Sequence, residues 1–218
     1  MAEKAITGAT AQLEDQYVTA IIVAHNGATW LSEVVASLSA QKHQVDEIIA
    51  VDNGSIDGSA KLLSNAGIQV IKKSQSTGFG AAVAAAVAKL PEIEKDSDIQ
   101  EWLWILHDDC APDRHALAKL LAAAIARPQV AILGPKILGW YDRKHILEVG
   151  ISITENGSRW TGLEDREYDQ GQHNNVATVL AVSTAGMLIK RSLFEELGGF
   201  DPSLELFRDD IDLGWRAH

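Results

Sequence analysis

Two pairs of adjacent aspartates, Asp108-Asp109 and Asp209-Asp210, are the residues of this chain whose type and spacing best fit chemistry. Each pair follows a stretch rich in apolar residues. Neighbouring carboxylates repel each other and are costly to desolvate, so a folded chain keeps them where a cation, solvent or a proton-transfer task compensates their charge. The pairs lie about a hundred residues apart, and we expect them to form one site built from two halves of the chain.

The first pair ends the apolar run at residues 102–106 and is preceded by His107. Hard divalent cations take oxygen ligands, and two carboxylates at a strand end offer them. Such an ion would neutralise a diphosphate that an acidic chain does not otherwise hold. Two alternatives stay open on spacing alone. Asp109 or Asp113 would cap the following helix, or the pair would contain a phosphoacceptor, as in receiver domains.

The second pair opens a predicted helix, Asp209-Asp210-Ile211-Asp212. Asp209 and Asp212 are three residues apart and share a helix face, whereas Asp210 points elsewhere. Carboxylates in a first helical turn are favourable in their own right, which is one interpretation. The other is that Asp210 projects into the site as a general base.

Two further segments could contact a ligand. Asp52 stands at the tip of a predicted strand, where it would accept hydrogen bonds from a base or ribose, or serve only a turn and cap. Gly78, in Ser76-Thr77-Gly78-Phe79-Gly80, opens a helix; helix N-termini attract phosphate, and glycine also allows close helix–sheet packing. Neither this stretch nor residues 54–58 match the GxGxxG or P-loop patterns. Dinucleotide and P-loop nucleotide binding therefore have no support.

Apolar runs and segments of helical period alternate through the first 135 residues. The predicted strands lie at residues 18–24, 47–51, 68–71, 102–106 and 130–133. The predicted helices lie at residues 30–38, 57–65, 78–90 and 112–127, the last with Pro112 in its first turn. Such alternation is typical of an α/β fold with a parallel sheet and right-handed crossovers. Its polar strand tips would line one crevice.

The pattern changes after Pro135. Residues 146–153 and 157–161 predict a β-hairpin around Glu155-Asn156-Gly157. A polar, mobile loop is expected at residues 163–175, further strands at 176–182 and 186–189, and a short helix at 192–197. Residues 1–17 are expected to form a flexible N-terminal arm.

Composition excludes several classes of protein. The formal net charge is −11 and no Lys/Arg cluster occurs, which argues against a nucleic-acid partner. Cys110 is the single cysteine, so no internal disulfide forms and a reducing, cytoplasmic location fits. No apolar run reaches membrane-spanning length and the start is not a signal peptide. The last residues are typical of a helix that has barely begun, so we expect part of a longer protein.

The order of the segments resembles the family 2 glycosyltransferases with the GT-A fold. The segments that carry the resemblance are residues 18–26, 47–59, 78–80, 106–112, 186–191, 197–201 and 209–216. The likeness is greatest to bacterial rhamnosyl- and galactofuranosyl-type transferases of cell-envelope polysaccharide assembly. It implies one GT-A domain over residues 18–218, with a nucleotide-sugar half at 18–112 and an acceptor half at 113–218. The implied fold is a Rossmann-like, mostly parallel sheet flanked by helices, with a smaller mixed or antiparallel portion on the acceptor side.

The resemblance also implies an activity. It is the inverting transfer of a sugar from a nucleoside-diphosphate sugar to a hydroxyl of a glycan or lipid-linked acceptor, with Mg²⁺ or Mn²⁺ as cofactor. Asp109, together with Asp108, would match the metal-binding DXD-type motif, and Asp210 would match the catalytic base. The residues implied at the donor are Ala24, Asn26, Asp52, Gly78, Asp108 and Gly186. Membrane contact would come only from a region beyond His218.

The chain departs from the family pattern in places. His107 replaces the first aspartate of the usual DXD, and Asp209 replaces the glutamate expected before the base. Ser76 replaces the asparagine expected before Gly78-Phe79-Gly80, and the run Ala84-Ala85-Ala86 replaces a later Asn-x-Gly. These departures favour an alternative hypothesis, a non-catalytic module that binds nucleotide sugars.

Overall fold

The structure is a computed structural model that describes residue 13 and residues 15–92, 98–204 and 208–218. The strands of this described part are β1 (Gln16–Ala24), β2 (Glu47–Asn53), β3 (Gln69–Lys73), β4 (Gln100–His107), β5 (Ile132–Leu133), β6 (Ile137–Leu138), β7 (Ile146–Glu148), β8 (Ser152–Ile153), β9 (Arg159–Trp160) and β10 (Met187–Lys190). The helices are α1 (Ala28–Ser39), α2 (Ser59–Asn65), α3 (Phe79–Val87), α4 (Ala116–Ile125), α5 (Arg191–Glu196) and α6 (Asp209–Ala217). No helix in these ranges combines the length and apolar character needed to cross a bilayer.

Six strands form the central sheet in the order β3-β2-β1-β4-β10-β5. Strands β1 to β4 pair in parallel, whereas β10 runs antiparallel to both of its neighbours. Two small antiparallel pairs, β6–β7 and β8–β9, lie outside this sheet. The predicted mostly parallel sheet, with a smaller antiparallel portion in the second half of the chain, is confirmed.

The hydrophobic core covers both faces of the sheet, because consecutive residues of its buried strands point to opposite sides. Ala20 and Trp104 belong to the cluster packed under α1 and α4. Ile21 and Leu103 belong to the cluster under α3, α5 and α6. The prediction that Trp104 is a core residue is confirmed, since its side chain is fully buried.

Several predicted element boundaries in the donor half were wrong. Gln16 and Tyr17, placed in the flexible arm, begin β1; the rest of that arm, apart from Leu13 and Asp15, lies outside the described residues. Pro112 precedes α4 rather than opening it. The delay has a local cause, because Asp113 forms a turn that accepts a hydrogen bond from Ala116 and another, through its side chain, from the backbone of His115.

Other differences lie in the second half. The predicted strand over residues 146–153 is split into β7 and β8, and Gly150, with a φ of 118°, stands at the break. The β8–β9 hairpin around Gly157 is confirmed but short. Residues 176–182 form no strand and contribute a single bridge, Ala181 to Ile151. The fifth strand is confined to Ile132–Leu133, and β10 separates it from β4.

The topology brings several chain segments to one edge of the sheet. The carboxyl ends of β1, β2 and β4 meet there because these strands are parallel. Strand β10 runs the other way, so its beginning lies at the same edge, where the Gly186 N–H donates to the Ile105 carbonyl at 3.0 Å. The residues just before β10 therefore stand beside the residues that end β4.

Candidate functional site

The end of β4 is joined to the end of β1 through Asp108. Its carboxylate accepts a 2.7 Å hydrogen bond from the backbone N–H of His25. The next turn leaves room for it, since a Cβ at Gly27 would lie only 2.4 Å from Oδ2 of Asp108. Burial raises the pKa of Asp108, and the His25 N–H offsets part of that rise. Asp108 thus links the two strand tips as well as standing at the predicted donor site.

Asp109 has a different environment. Its side chain is exposed at the sheet edge, where a cation can reach it. No group of three or more His, Cys, Asp or Glu side chains within the described ranges is arranged to hold a metal ion. Mg²⁺ usually binds one or two carboxylates together with substrate phosphates, so a single open carboxylate is compatible with such an ion. Of the two predicted metal ligands, Asp109 fits this role better.

Buried acceptor atoms mark the predicted nucleoside position. Asp52 is 4% exposed, and its Oδ1 has no hydrogen-bond partner in the part of the chain that the structure describes. Oδ1 of the adjacent Asn53 is likewise buried and unpartnered, while its Nδ2 donates to the Thr77 carbonyl at 3.0 Å. Buried polar atoms in native proteins nearly always have partners, so these two oxygens are candidates to receive ligand donors.

Three further predicted donor residues, Ala24, Asn26 and Gly78, lie in the segments next to this position. Ala24 is fully buried and is the register partner of Asp52. Asn26 has a φ of 56°, and its side-chain oxygen accepts from the Ile56 N–H at 2.9 Å, so its amide shapes the loop. Gly78 is the N-cap of α3, directly after Thr77. The contact between Asn53 and Thr77 therefore brings the start of α3 to the tip of β2.

Close contacts at Gly214 and Arg216 fix the position of helix α6, whose first turn carries Asp210. A Cβ at Gly214 would lie 2.5 Å from the Leu180 carbonyl oxygen, so only glycine permits this approach. Arg216 donates to the carbonyls of Leu197 and Gly199, each at 2.8 Å, and pairs with Asp212. These contacts hold the helix start, where Asp210 stands, against the rest of the fold.

His107 connects the two aspartate pairs. Its Nε2 lies 2.9 Å from Oγ1 of Thr184, and its ring meets Phe79 edge-on with centroids 5.0 Å apart. Burial lowers the pKa of His107, and the negative charges of Asp109 and Asp210 offset part of that change. Residues 180–184 contact His107 through Thr184 and α6 through the Leu180 carbonyl at Gly214, so the segments that carry the two aspartate pairs approach each other.

Asp210 is partly buried. Burial raises its pKa, while the Ile211 N–H and the charges of Arg159 and His107 act in the opposite direction. A raised pKa makes a carboxylate a stronger base toward the proton of a hydroxyl. The neighbouring Asp209 is more deeply buried, and burial raises its pKa to about 6.

Three functional candidates were missed by the sequence reasoning: Glu148, Arg159 and Thr184. Glu148 is 6% exposed and forms an ion pair with Arg159. A signal was present for Glu148, since it occupies the same inward face of β7 as the buried Ile146. Nothing comparable marked Arg159 or Thr184, because their importance depends on long-range contacts.

Comparisons with known proteins agree with this architecture. The family model described as glycosyl transferase family 2 matches residues 19–198. The N-acetylglucosaminyl-diphospho-decaprenol L-rhamnosyltransferase of Mycobacterium tuberculosis is 24% identical over 216 residues, covering 90% of this chain and 68% of the relative.

Solved structures show the same fold. The mannosyltransferase PcManGT from Pyrobaculum calidifontis, in complex with GDP-Man and Mn²⁺, matches 90% of this chain and 50% of its own length, with 18% identity and a TM-score of 0.61. Residues 1–349 of S. aureus TarS match 92% of this chain and 55% of their own length, with 16% identity and a TM-score of 0.63. The same TarS fragment is also known in complex with UDP. The chain spans about half the length of these structures.

Proposed function

The chain belongs to glycosyl transferase family 2, and from that premise we propose that it transfers a sugar from a nucleoside-diphosphate sugar to an acceptor hydroxyl, with inversion and with a divalent cation. The observation that supports the proposal is that residues 180–184 contact both His107, which precedes the first aspartate pair, and α6, which carries Asp210. One carboxylate is open to a cation and the other has the environment of a base. The receiver-type alternative for the first pair does not agree with membership of this family.

In the proposed donor half, residues 18–112, Asp52 accepts hydrogen bonds from the nucleoside through its unpartnered Oδ1. The backbone at Ala24 and Asn26 borders the base, and Gly78 and Asp108 border the ribose and phosphates. Gly186 stands where the sugar meets the acceptor half, residues 113–218. Its φ of 135° and the nearness of Pro135 exclude a side chain there.

Asp109 is proposed to hold Mg²⁺ or Mn²⁺, with Asp108 as its neighbour at the strand tip. When bound, the cation would stabilise the negative charge that develops on the leaving diphosphate. Asp210 is proposed to remove the proton from the attacking hydroxyl, which contributes roughly 10²–10⁴-fold to such reactions. Attack in line with the departing diphosphate would invert the anomeric carbon. The Mn²⁺ bound in the PcManGT complex supports the type of cation.

The relatives also support a place in cell-envelope synthesis. The mycobacterial relative is named for rhamnosyl transfer to a lipid-linked N-acetylglucosaminyl diphosphate. We therefore propose a glycan or lipid-linked acceptor for this chain. The donor sugar could carry a uridine, guanosine or deoxythymidine diphosphate, and the binding experiment below selects among them.

Calorimetry with UDP, GDP and dTDP, each with and without Mn²⁺, followed by a transfer assay with the sugar nucleotide of the selected base, tests the proposal. We expect one nucleotide to bind more tightly when Mn²⁺ is present, and its sugar nucleotide to be consumed. Binding without any turnover by the full-length protein would instead establish a non-catalytic nucleotide-sugar module. Absence of binding to all three nucleotides would contradict both functions.

A further inference from the structure

A buried glutamate with no place in the proposed mechanism stands next to the base. The Glu148 carboxylate accepts a 3.1 Å hydrogen bond from the Ser183 N–H through Oε1 and pairs with Arg159 through Oε2. Its side chain is 7% exposed, whereas that of Arg159 is 44% exposed. A buried carboxylate is stable only when paired and hydrogen-bonded, and here both conditions are met. Glu148 thereby joins β7, β9 and the segment before β10.

The β8–β9 hairpin that carries Arg159 is also attached to the start of α6. Arg208, the residue before that helix, donates from Nη1 to the Gly157 carbonyl in the hairpin turn at 3.3 Å. The hairpin is therefore held at two points, by Glu148 through Arg159 on β9 and by Arg208 at the turn. The hairpin turn therefore lies beside Arg208, the residue that precedes the first turn of α6, where Asp210 stands.

The charged groups around Asp210 come from four elements. Arg159 on β9 and His107 on β4 favour its ionised form, and Glu148 on β7 and Asp209 on α6 oppose it. Of the two favourable groups, only arginine keeps its positive charge across the working pH range.

We propose that Arg159, held in place by Glu148, is a positioning residue whose positive charge keeps the Asp210 carboxylate ionised and ready to accept the proton of the attacking hydroxyl. The inference rests on the proposed function of Asp210 as the base. The hairpin β8–β9 would then contribute to the reaction, because its displacement would move the positive charge of Arg159 away from Asp210.

A different role for Arg159 makes a different prediction. The guanidinium has five N–H donors, and its exposed part could bind an anionic group of the acceptor. Loss of such a contact would raise KM for the acceptor and leave the titration of Asp210 unchanged. The positioning role predicts the reverse, a change in the titration of Asp210 and in kcat.

Direct titration of Asp210 separates these roles without any need for turnover. The full chain is labelled with ¹³C at the aspartate carboxyl carbons, and the Asp210 resonance is assigned from its absence in Asp210→Asn. In Arg159→Gln the midpoint of the Asp210 titration should move to higher pH, because an opposite charge no longer favours the ionised form. In Arg159→Lys, which keeps the charge, it should remain nearer to that of the unmodified chain.

The matched control is Arg143→Gln. Arg143 also pairs with a glutamate, Glu33, but this pair is exposed and is not among the groups that act on Asp210. We expect no movement of the Asp210 midpoint in this variant. An equal midpoint in the unmodified chain and in Arg159→Gln, with Arg159→Gln folded by its far-ultraviolet circular dichroism, would overturn the proposal.

The pH dependence of kcat, with the nucleotide sugar that the binding screen selects, gives the second measurement. In Arg159→Gln, kcat should fall about tenfold on the acidic side of the profile, because the base there is protonated, and by less than about threefold on the alkaline plateau. A raised KM for the acceptor at every pH, with an unchanged acidic limb, would overturn the positioning role in favour of acceptor binding. If the unmodified chain transfers no sugar although the Asp210 midpoint moves as expected, the proposed function fails and the electrostatic link between Arg159 and Asp210 stands.

Discussion

The carboxylate of Asp108 lies 2.7 Å from the backbone nitrogen of His25, and this charge-assisted hydrogen bond joins the tips of two adjacent parallel strands. The two aspartates at the end of β4 have different environments. Asp108 is engaged with the backbone of the next strand, and Asp109 remains open to solvent. We therefore expect substitutions of Asp108 and of Asp109 to have different effects, although both residues are aspartates.

Gly27→Ala should weaken both the fold and nucleotide binding. The φ of Gly27 is −96°, which suits any residue, so the effect would come from the new Cβ, 2.4 Å from the Asp108 carboxylate. Overpacking of this kind costs about 1–3 kcal/mol in the free energy of unfolding, measurable by urea titration. The control is Gly67→Ala, where a Cβ would meet nothing within 4 Å and only the φ of 79° is unfavourable. If both variants bind nucleotide equally well, Gly27 has no link to the site.

Asp109→Asn should remove the gain in nucleotide affinity that Mn²⁺ provides, with little effect on stability, because the exposed carboxylate is proposed as the cation ligand. The comparison is Asp108→Ala, which removes the acceptor of the exposed His25 N–H and should cost about 0.5–1.5 kcal/mol of stability. Calorimetry with and without Mn²⁺ and urea unfolding measure the two effects. Retention of the Mn²⁺ effect in Asp109→Asn would remove this residue from the proposed metal site.

Asp210→Asn should lower kcat for transfer by about 10²–10⁴-fold while nucleotide affinity stays within roughly twofold, because an amide cannot accept the proton of the attacking hydroxyl. Asp212→Asn is the control on the same helix, since its carboxylate pairs with Arg216. Steady-state kinetics on the full-length protein measures kcat, and calorimetry measures nucleotide affinity. Turnover close to that of the unmodified protein would show that another group is the base.

Asp209→Asn should stabilise the chain at alkaline pH. Burial raises the pKa of Asp209 to about 6, from an ordinary value of 3.8, so the folded state binds its proton more tightly than the unfolded state does. Its favourable contribution is complete below about pH 4 and is lost as the pH rises through about 6. At pH 8 the ionised carboxylate costs up to about 3 kcal/mol, which the neutral amide avoids.

Urea unfolding of Asp209→Asn between pH 4 and 8 measures this gain. The asparagine oxygen still accepts the Asp210 N–H, so the helix start is kept. Asp201→Asn is the opposite case, because the Ser203 N–H lowers the pKa of Asp201, and no gain at pH 8 is expected there. A stability difference for Asp209→Asn that does not change with pH would contradict the assigned burial effect.

The sequence patterns were sufficient to predict the strands of the donor half, because each of those strands is marked by a local run of apolar residues. Apolar runs marked β1, β2 and β4, and the parallel arrangement then brought Asp52 and Asp108 to one edge of the sheet. Start positions were less accurate, as at Pro112, because a turn at Asp113 competes with the helix. The second half was harder, since β7 pairs with β6 rather than continuing into β8, and the φ of Gly150 is not visible in its residue type.

The residues of the candidate site also differed in how far the sequence could predict them. The aspartates were recognisable because adjacent carboxylates are unusual at the ends of apolar runs. Arg159 and Glu148 were not, because an arginine in a hairpin and a glutamate in a short strand are ordinary surface residues by composition. Their pairing depends on how β7 and β9 meet, and no local pattern encodes that contact.

Strand β5 ends at Leu133 and β10 begins at Met187, yet the two strands are hydrogen-bonded neighbours, with Leu188 opposite Leu133. The chain between them leaves the sheet and returns to the adjacent place. Doubling the length of such an excursion costs only about 0.6 kcal/mol in closure entropy. Insertions or deletions at the exposed turns of this segment should therefore leave the pairing of β5 with β10 intact.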